Sequence, residues 1–294
     1  MVNIDKSYEV LNEKYRGRKP KIGLRKDGKK YIFKYGVVNY EMYAELIAER
    51  LGIQIGIDMA HYEAAHMDNR IGVITDNFLG RDDLIITSDK LREYIQILFN
   101  ENNINFDVKD SSILNIIEAV WTYDNNINIE NLSYELMKRW LFYGLILESD
   151  KNSTNISFIK TIDGLKLSPD YDNSSMCELS KNISNYIPML YRGYDIYSFT
   201  DGVTSKLHLS KKTDGLSFLE EYKIFVEKYG DICGNVLNTF ENIDVDLAIK
   251  EVEEINKIEV PYEVKFWVRK VIYTRFTDMK NIYKNITGCK IKII

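Results

Sequence analysis
Hydrophobic and polar positions change their period part-way along this chain. Through about residue 80 the apolar residues come in short runs. Lys21 to Arg25 and Lys30 to Tyr35 read as two strands, and Lys26-Asp27-Gly28-Lys29 between them is a hairpin signal, because Asp-Gly supplies the positive-φ corner of a two-residue turn. Asn39 to Leu51 carries Met42, Ile47 and Leu51 at helical spacing, with Gly52 placed to end the helix. Ile53 to Ile57, Met59 to Ala64 and Ile71 to Thr75 read as further strands. The order β-β-α-β-β-β predicts a small antiparallel sheet with one helix on it. From Ser88 the period becomes helical: Leu91 to Phe99, Ile113 to Tyr123, Leu132 to Leu147, Leu216 to Tyr229, Val245 to Ile255 and Tyr262 to Tyr283 repeat apolar residues at i, i+3, i+4. Pro261 suits the first turn of the last of these.

Composition adds little to this division, whereas charge adds more. With 45% hydrophobic and 28% charged residues the chain is globular, which excludes a disordered or fibrous one. Its greasiest run, Trp140 to Leu147, is too short to span a bilayer, and the N-terminus has no apolar signal region. Cys177, Cys233 and Cys289 are few and far apart, as in a reduced cytoplasmic protein. The net charge of −5 is unevenly spread: Lys14 to Lys30 holds nine basic residues against Asp27, a balance of +8, leaving −13 elsewhere. Such a strip seeks an anion, whether nucleotide phosphate, nucleic acid or the chain's own acids.

Several familiar chemistries are excluded. Gly23 to Lys30 approaches the GxxxxGK[ST] phosphate loop but lacks the final hydroxyl and lies in a hairpin instead of leading into a helix. His61, His66 and His208 have no ligand spacing with any cysteine, and HExxH, CxxC and GxSxG motifs are missing. The informative segment is Trp140 to Asn173, in which a buried helix ends in the polar loop Glu148 to Thr154. Strands at Ile156 to Ile159 and Leu165 to Leu167 follow around Asp163-Gly164, then Pro169-Asp170-Tyr171-Asp172. Closing that hairpin brings Asp150 and Asn155 at one mouth toward Asp172 at the other. Asp and Asn are also ordinary turn formers. Yet one carboxylate to accept a hydroxyl proton, with an amide oxygen and a second carboxylate to hold magnesium, is what phosphoryl transfer requires.

On these residues the chain resembles the HipA-like kinases, bacterial Ser/Thr kinases of which several are toxins in toxin–antitoxin pairs. Asp150-Lys-Asn-Ser-Thr-Asn155 and Pro169-Asp-Tyr-Asp172 match that family's catalytic loop and metal motif. Upstream, Gly17-Arg-Lys-Pro-Lys21, Tyr31-Ile-Phe-Lys34 and the helix with Glu41 and Glu45 before Leu51-Gly-Ile53 match its phosphate loop, lysine strand and acidic helix. The resemblance covers about residues 15 to 180. Two departures stand out: Asn152 replaces a frequent histidine, and the loop at Gly17 is unusually basic.

The resemblance implies an α+β, two-lobed protein-kinase-like fold. Residues 1–80 would form an antiparallel-sheet N-lobe with one helix, and residues 81–294 a mostly helical C-lobe carrying the hairpin 148–173. The family's longer forms have an extra N-terminal domain, which this chain is expected to lack. It further implies an ATP- and Mg²⁺-dependent kinase acting on Ser or Thr of a protein, itself included, with an antitoxin as an allowed partner. Asp150 would be the base, and Asn155 and Asp172 the metal ligands. Lys34 would contact the ATP phosphates, oriented by Glu41 or Glu45, which lie one turn apart on one helix face. Gly17 to Lys21 would cover the phosphates, and Ile74 to Phe78, including Asn77, would form the adenine hinge. Ser174 and Ser175, just after Asp172, are candidate modification sites or simply part of an ordinary polar loop. Two other functions use the same residues: a small-molecule phosphotransferase on this fold, and a non-catalytic nucleotide or nucleic-acid binder built on residues 14–30. Neither a membrane nor a nucleic acid is the expected partner.

Overall fold
The computed structural model describes residues 1–13, 15, 19–36, 40–79, 83–101, 110, 112–124, 126–162, 164–181, 183–193, 195–204 and 206–288. Its first part is a curled six-stranded sheet made of β1 (Val2–Asn3), β2 (Glu9–Leu11), β3 (Lys21–Lys26), β4 (Lys29–Tyr35), β5 (Tyr62–Met67) and β6 (Arg70–Asp76), with α1 (Tyr40–Gln54) between β4 and β5. The strands lie in the order β1-β5-β6-β4-β3-β2. All pairs are antiparallel except β1 with β5, which are parallel, so the expected antiparallel sheet has one parallel edge. Asp27 and Gly28 both take positive φ, 49° and 78°, and make the tight β3–β4 turn that Asp-Gly predicts.

Side chains alternate between the two faces of this sheet. Ile4, Leu24, Phe33, Ala65 and Ile74 form a small apolar cluster apart from the main core, whereas Tyr62, Ala64 and Val73 join the main core with α1. Helix α1 is buried on nearly every side, Glu45 and Glu49 included. The predicted strand Ile53 to Ile57 does not form. The helix passes through Gly52 and stops at Gly56, whose φ of 70° only glycine adopts freely, while Ile57 N–H bonds back to Gly52 O at 2.9 Å. The strand expected from Met59 begins at Tyr62, and Met59 instead makes a single bridge to Asp170.

The second part begins with β7 (Leu84–Thr87), α2 (Ser88–Glu101), α3 (Ile113–Tyr123) and α4 (Ile129–Leu145). Then come β8 (Ser157–Thr161), β9 (Gly164–Leu167), the short helices α5 (Ile187–Tyr191) and α6 (Tyr197–Thr200), and α7 (Phe218–Phe240), α8 (Val245–Asn256) and α9 (Tyr262–Thr287). β7, β8 and β9 form a separate antiparallel sheet. β1, β2 and β7, which the pattern did not predict, have two to four residues, too few for alternation to register. α7 continues past Tyr229, where the predicted helix ended; the backbone there leaves helical geometry (φ −132°, ψ 39°) before the helix resumes. Pro261 is the cap just before α9 and not part of its first turn.

The main core is continuous between α4, α7 and α9, with Trp140 against Phe218 and Phe225 at 5.0 and 5.4 Å between ring centroids. It extends up to α1 through α8. Gln54 and Asp244 exchange two hydrogen bonds, Nε2 to Asp244 O at 3.0 Å and Asp244 N–H to Oε1 at 2.8 Å. The Asn256 Oδ1 accepts from Ala64 N–H at 2.6 Å. Cys177 and Cys233 are buried free thiols, and Cys289 lies outside the described residues. Among the described residues no helix is long and apolar enough to cross a membrane.

Candidate active site
The hairpin β8–β9 closes at its base. Ser168 N–H donates to Ser157 O at 3.0 Å, and the two buried hydroxyls meet at 2.9 Å. Asn155 and Asp172 lie just beyond the two ends, and Asn155 Nδ2 donates to Asp172 Oδ2 at 2.9 Å, as closure of the hairpin predicts. Asp172 takes a positive φ of 65°, a conformation that Asp tolerates better than most residues. Its N–H is held by Tyr62 Oη at 3.2 Å. Residue 170 is stitched to the lead into β5 by Asp170 N–H to Asp58 O at 2.7 Å and Ala60 N–H to Asp170 O at 2.8 Å.

The loop bearing Asp150 follows α4. Leu147 turns it with a φ of 51°, and Glu148 fixes it from below. The buried Glu148 accepts from Asp150 N–H through Oε1 and from Ser175 N–H through Oε2, both at 3.0 Å, so one carboxylate brackets the two loops. Burial pushes this carboxyl up to about 8, against the nearby Lys151 charge. Lys151 is fully buried and joins the same loops, pairing with Asp170 at 3.1 Å and donating to Tyr171 O at 2.5 Å and Asn173 Oδ1 at 3.1 Å. Burial disfavours the Asp170 carboxylate, but Lys151 and Arg139 outweigh it and hold the carboxyl below its ordinary range.

From the sheet, β4 delivers Lys34. It pairs with Glu45 of α1 and with Asp172 of the opposite lobe. Of the two candidate carboxylates, Glu41 and Glu45, it is therefore Glu45 that meets the lysine, and its other oxygen accepts from Asn173 N–H at 2.7 Å. Glu41 pairs with Lys19 at 2.9 Å at the cleft edge. Burial penalises the Lys34 ammonium, yet Glu45 and Asp172 more than compensate and hold it above an ordinary lysine. Asp172 is likewise penalised by burial and brought well below the usual carboxylate range by Lys34. Lys21 stands opposite Lys34 in the β3–β4 register, and burial lowers its amine despite the pull of Asp172.

A cleft of about 570 Å³ gathers these groups, lined by Lys21, Lys34, Glu41, Asp150, Asn155 and Asp172 together with Lys19, Glu178, Lys181 and Lys206. Glu45 lies just behind its wall. Asn77 does not line it: its N–H donates to Lys30 O at 3.0 Å and its Oδ1 accepts from Leu79 N–H at 3.2 Å, capping the end of β6. Phe78, the last residue of the expected hinge, lies 6.1 Å from Tyr171 between ring centroids. Gly17 lies outside the described residues, as do Lys14, Arg16 and Arg18. The rest of the basic strip is largely answered within the chain. Lys30 pairs with Glu13 at 2.7 Å, Arg25 with Glu9 at 3.0 Å, and Lys26 lies 4.6 Å over the Tyr8 ring. The motifs assign no role to Glu148, Lys151 or Lys206. Lys151 lies inside the Asp150–Asn155 motif and Glu148 two residues before it, so position could have marked both, whereas Lys206 has no motif around it.

Among the described residues no group of three or more His, Cys, Asp or Glu could hold a metal. The Asp172 carboxylate and the Asn155 amide both carry hard oxygens at the lysine-lined cleft, although here Asn155 turns its Nδ2 to Asp172 and its Oδ1 accepts from Asn152 N–H at 3.3 Å, so the amide would have to rotate to offer its oxygen. Such a set fits Mg²⁺, which is bound by one or two protein groups and completes its shell with phosphate and water.

No family model matches the sequence, and no curated protein matches it. Solved structures do. The proinflammatory kinase CtkA of Helicobacter pylori superposes with a TM-score of 0.72 at 14% identity, over 97% of this chain and 99% of that one. HipA of Shewanella oneidensis, from a complex of HipA, HipB and operator DNA, superposes with a TM-score of 0.57 at 16% identity, over 94% of this chain and 65% of that one. The chain thus has the α+β kinase-like fold that its resemblance to HipA-like kinases implies.

Proposed function
We propose that the chain is an ATP- and Mg²⁺-dependent phosphotransferase that moves the γ-phosphoryl group to a Ser or Thr hydroxyl of a protein, its own chain included. One observation carries this reading: Lys34, Asp150, Asn155 and Asp172, drawn from three separate sequence motifs, line a single cleft. Simple binding has no need for all four. Lys34, kept charged by Glu45, would engage the donor phosphates. Asn155 and Asp172 would hold Mg²⁺, which when bound supplies charge neutralisation for the phosphates. Asp150, more than half exposed at the cleft mouth, would accept the proton as the hydroxyl oxygen attacks phosphorus.

Five lysines line the cleft, Lys19, Lys21, Lys34, Lys181 and Lys206. They favour a polyphosphate donor and weigh against a cationic small-molecule acceptor. The likeness to HipA, seen in a complex with HipB and DNA, supports an antitoxin partner as part of the same proposal.

Intact-mass analysis after incubation with ATP and Mg²⁺ tests the reading. The wild type is expected to gain mass in steps of one phosphate, and Asp150→Ala to gain none. An equal gain in both would remove Asp150 from the reaction. No gain and no ATP turnover in the wild type would overturn the function.

A further inference from the structure
Lys206 enters the cleft from the loop after α6, and its ammonium pairs with Asp150 Oδ1. Both side chains are well exposed, 57% and 61%, and such a pair adds little to stability. The backbone beneath it is fixed far more firmly than stability of that pair requires. Leu207 is fully buried and its carbonyl accepts from Trp140 Nε1 at 3.2 Å. The His208 and Leu209 carbonyls accept from Ile113 and Leu114 N–H at 2.9 and 3.2 Å. An exposed ammonium thus stands beside Asp150 on a firmly hydrogen-bonded stretch of backbone.

The catalytic loop supplies no cation of its own there. Lys151 points down into its buried pair with Asp170. Asn152 is spent on capping: its Oδ1 accepts from Thr154 N–H at 2.8 Å and Oγ1 at 2.6 Å, and its Nδ2 donates to Asp150 O at 3.1 Å. Of the other cleft lysines, Lys181 pairs with Glu178, Lys19 pairs with Glu41, Lys34 stands at Asp172, and Lys21 lies opposite Lys34 in the β3–β4 register.

We infer that Lys206 is a catalytic residue that binds the phosphoryl group in transit, supplied from a distant loop because the catalytic loop has no free cation. The inference rests on the phosphotransferase reading above and specifies its acceptor end. In the resting cleft Lys206 occupies Asp150. A triphosphate draws the ammonium onto the γ-phosphate oxygens and leaves Oδ1 open. The acceptor oxygen then forms its bond to the γ-phosphorus, the bond from that phosphorus to the bridging oxygen breaks, and its electron pair leaves with ADP. The hydroxyl proton passes to Asp150, while Lys206 balances the charge on the moving oxygens.

The test measures ATP turnover with Mg²⁺, and affinities for ATP and ADP by competition, in wild type, Lys206→Met, Lys206→Arg and Asp150→Ala. Lys206→Met is expected to lower kcat by about 100-fold, the scale of losing one preorganised charge donor. It should erase the preference for ATP over ADP while leaving ADP affinity within about twofold, since Lys206 touches only the γ-group. Lys206→Arg should recover much of the loss, which a purely structural role would not predict. Turnover within about threefold of wild type in Lys206→Met, with the ATP preference intact, overturns the inference. If Asp150→Ala still abolishes turnover, that result leaves the parent reading standing. A wild type that binds ATP without turnover still decides the matter through the ATP-to-ADP affinity ratio. One that binds neither nucleotide removes both readings.

Discussion
Glu41 and Glu45 show how much a single turn of helix decides. Both point along one face of α1, yet Glu45 has a side chain only 1% exposed and reaches Lys34, while Glu41 sits at the rim with Lys19. Glu45→Gln should therefore reduce turnover by roughly 100-fold or more, because the lysine loses its orienting charge, whereas Glu41→Gln should cost less than about threefold. Steady-state kinetics on the two variants separate them. His208 gives a prediction about stability. Its ring bonds to Glu221 at 2.9 Å and to Asp214 at 3.1 Å, and the Glu221 bond raises its pKa above 6.5. The protonated form is favoured in the folded state, so this contribution is complete below pH 6.5 and is lost as pH rises through the folded value. Denaturant midpoints should show wild type exceeding His208→Gln by the most below pH 6.5, with the gap narrowing as the pH is raised above it. At this scale the motif residues were legible, because Asp150, Asn155 and Asp172 belong to one local hairpin. Lys206 was not, since only folding brings it to Asp150, 56 positions away in the sequence.

The elements were legible to the extent that they are amphipathic. α3 lies over the predicted residues because Ile113, Ile116, Ala119 and Val120 define one buried stripe. α1 is less readable, since burial on both sides removes the contrast between faces, and its true stop at Gly56 came after an equally plausible one at Gly52. The junction of α4 and α7 shows what packing adds beyond periodicity. A Cβ on Gly144 would lie 1.8 Å from the Phe218 ring, so the helices meet there only because the side chain is missing. Gly144→Val should destabilise the fold by about 1–3 kcal/mol through overpacking. It should also lower turnover, because Gly144 lies about one turn before the loop that bears Asp150, the proposed base. Denaturation and kinetics on the same variant check both effects. Phe218→Ala in that background should relieve part of the strain.

On the scale of the whole molecule, the helix that carries Glu45 is enclosed between the sheet and α8, an element close to the far end of the chain. Gln54 meets Asp244 across 190 positions, and Ala64 meets Asn256 across 192. A chain ended after residue 240 would leave the α1 face bare, and is expected to lose nucleotide binding even though it keeps every motif residue. Isothermal titration with ATP on that truncation, beside the whole chain, is the check. The same architecture has a consequence in time. Synthesis runs from the first residue to the last, and domains commonly fold as they emerge. Here the parts of the cleft appear first, but the helix that braces them follows about 190 positions after the α1 residue it meets, and contacts of such sequence separation form slowly. The growing polypeptide therefore carries the cleft residues unbraced until α8 has been made. Any chemistry of the cleft waits for that helix to leave the ribosome.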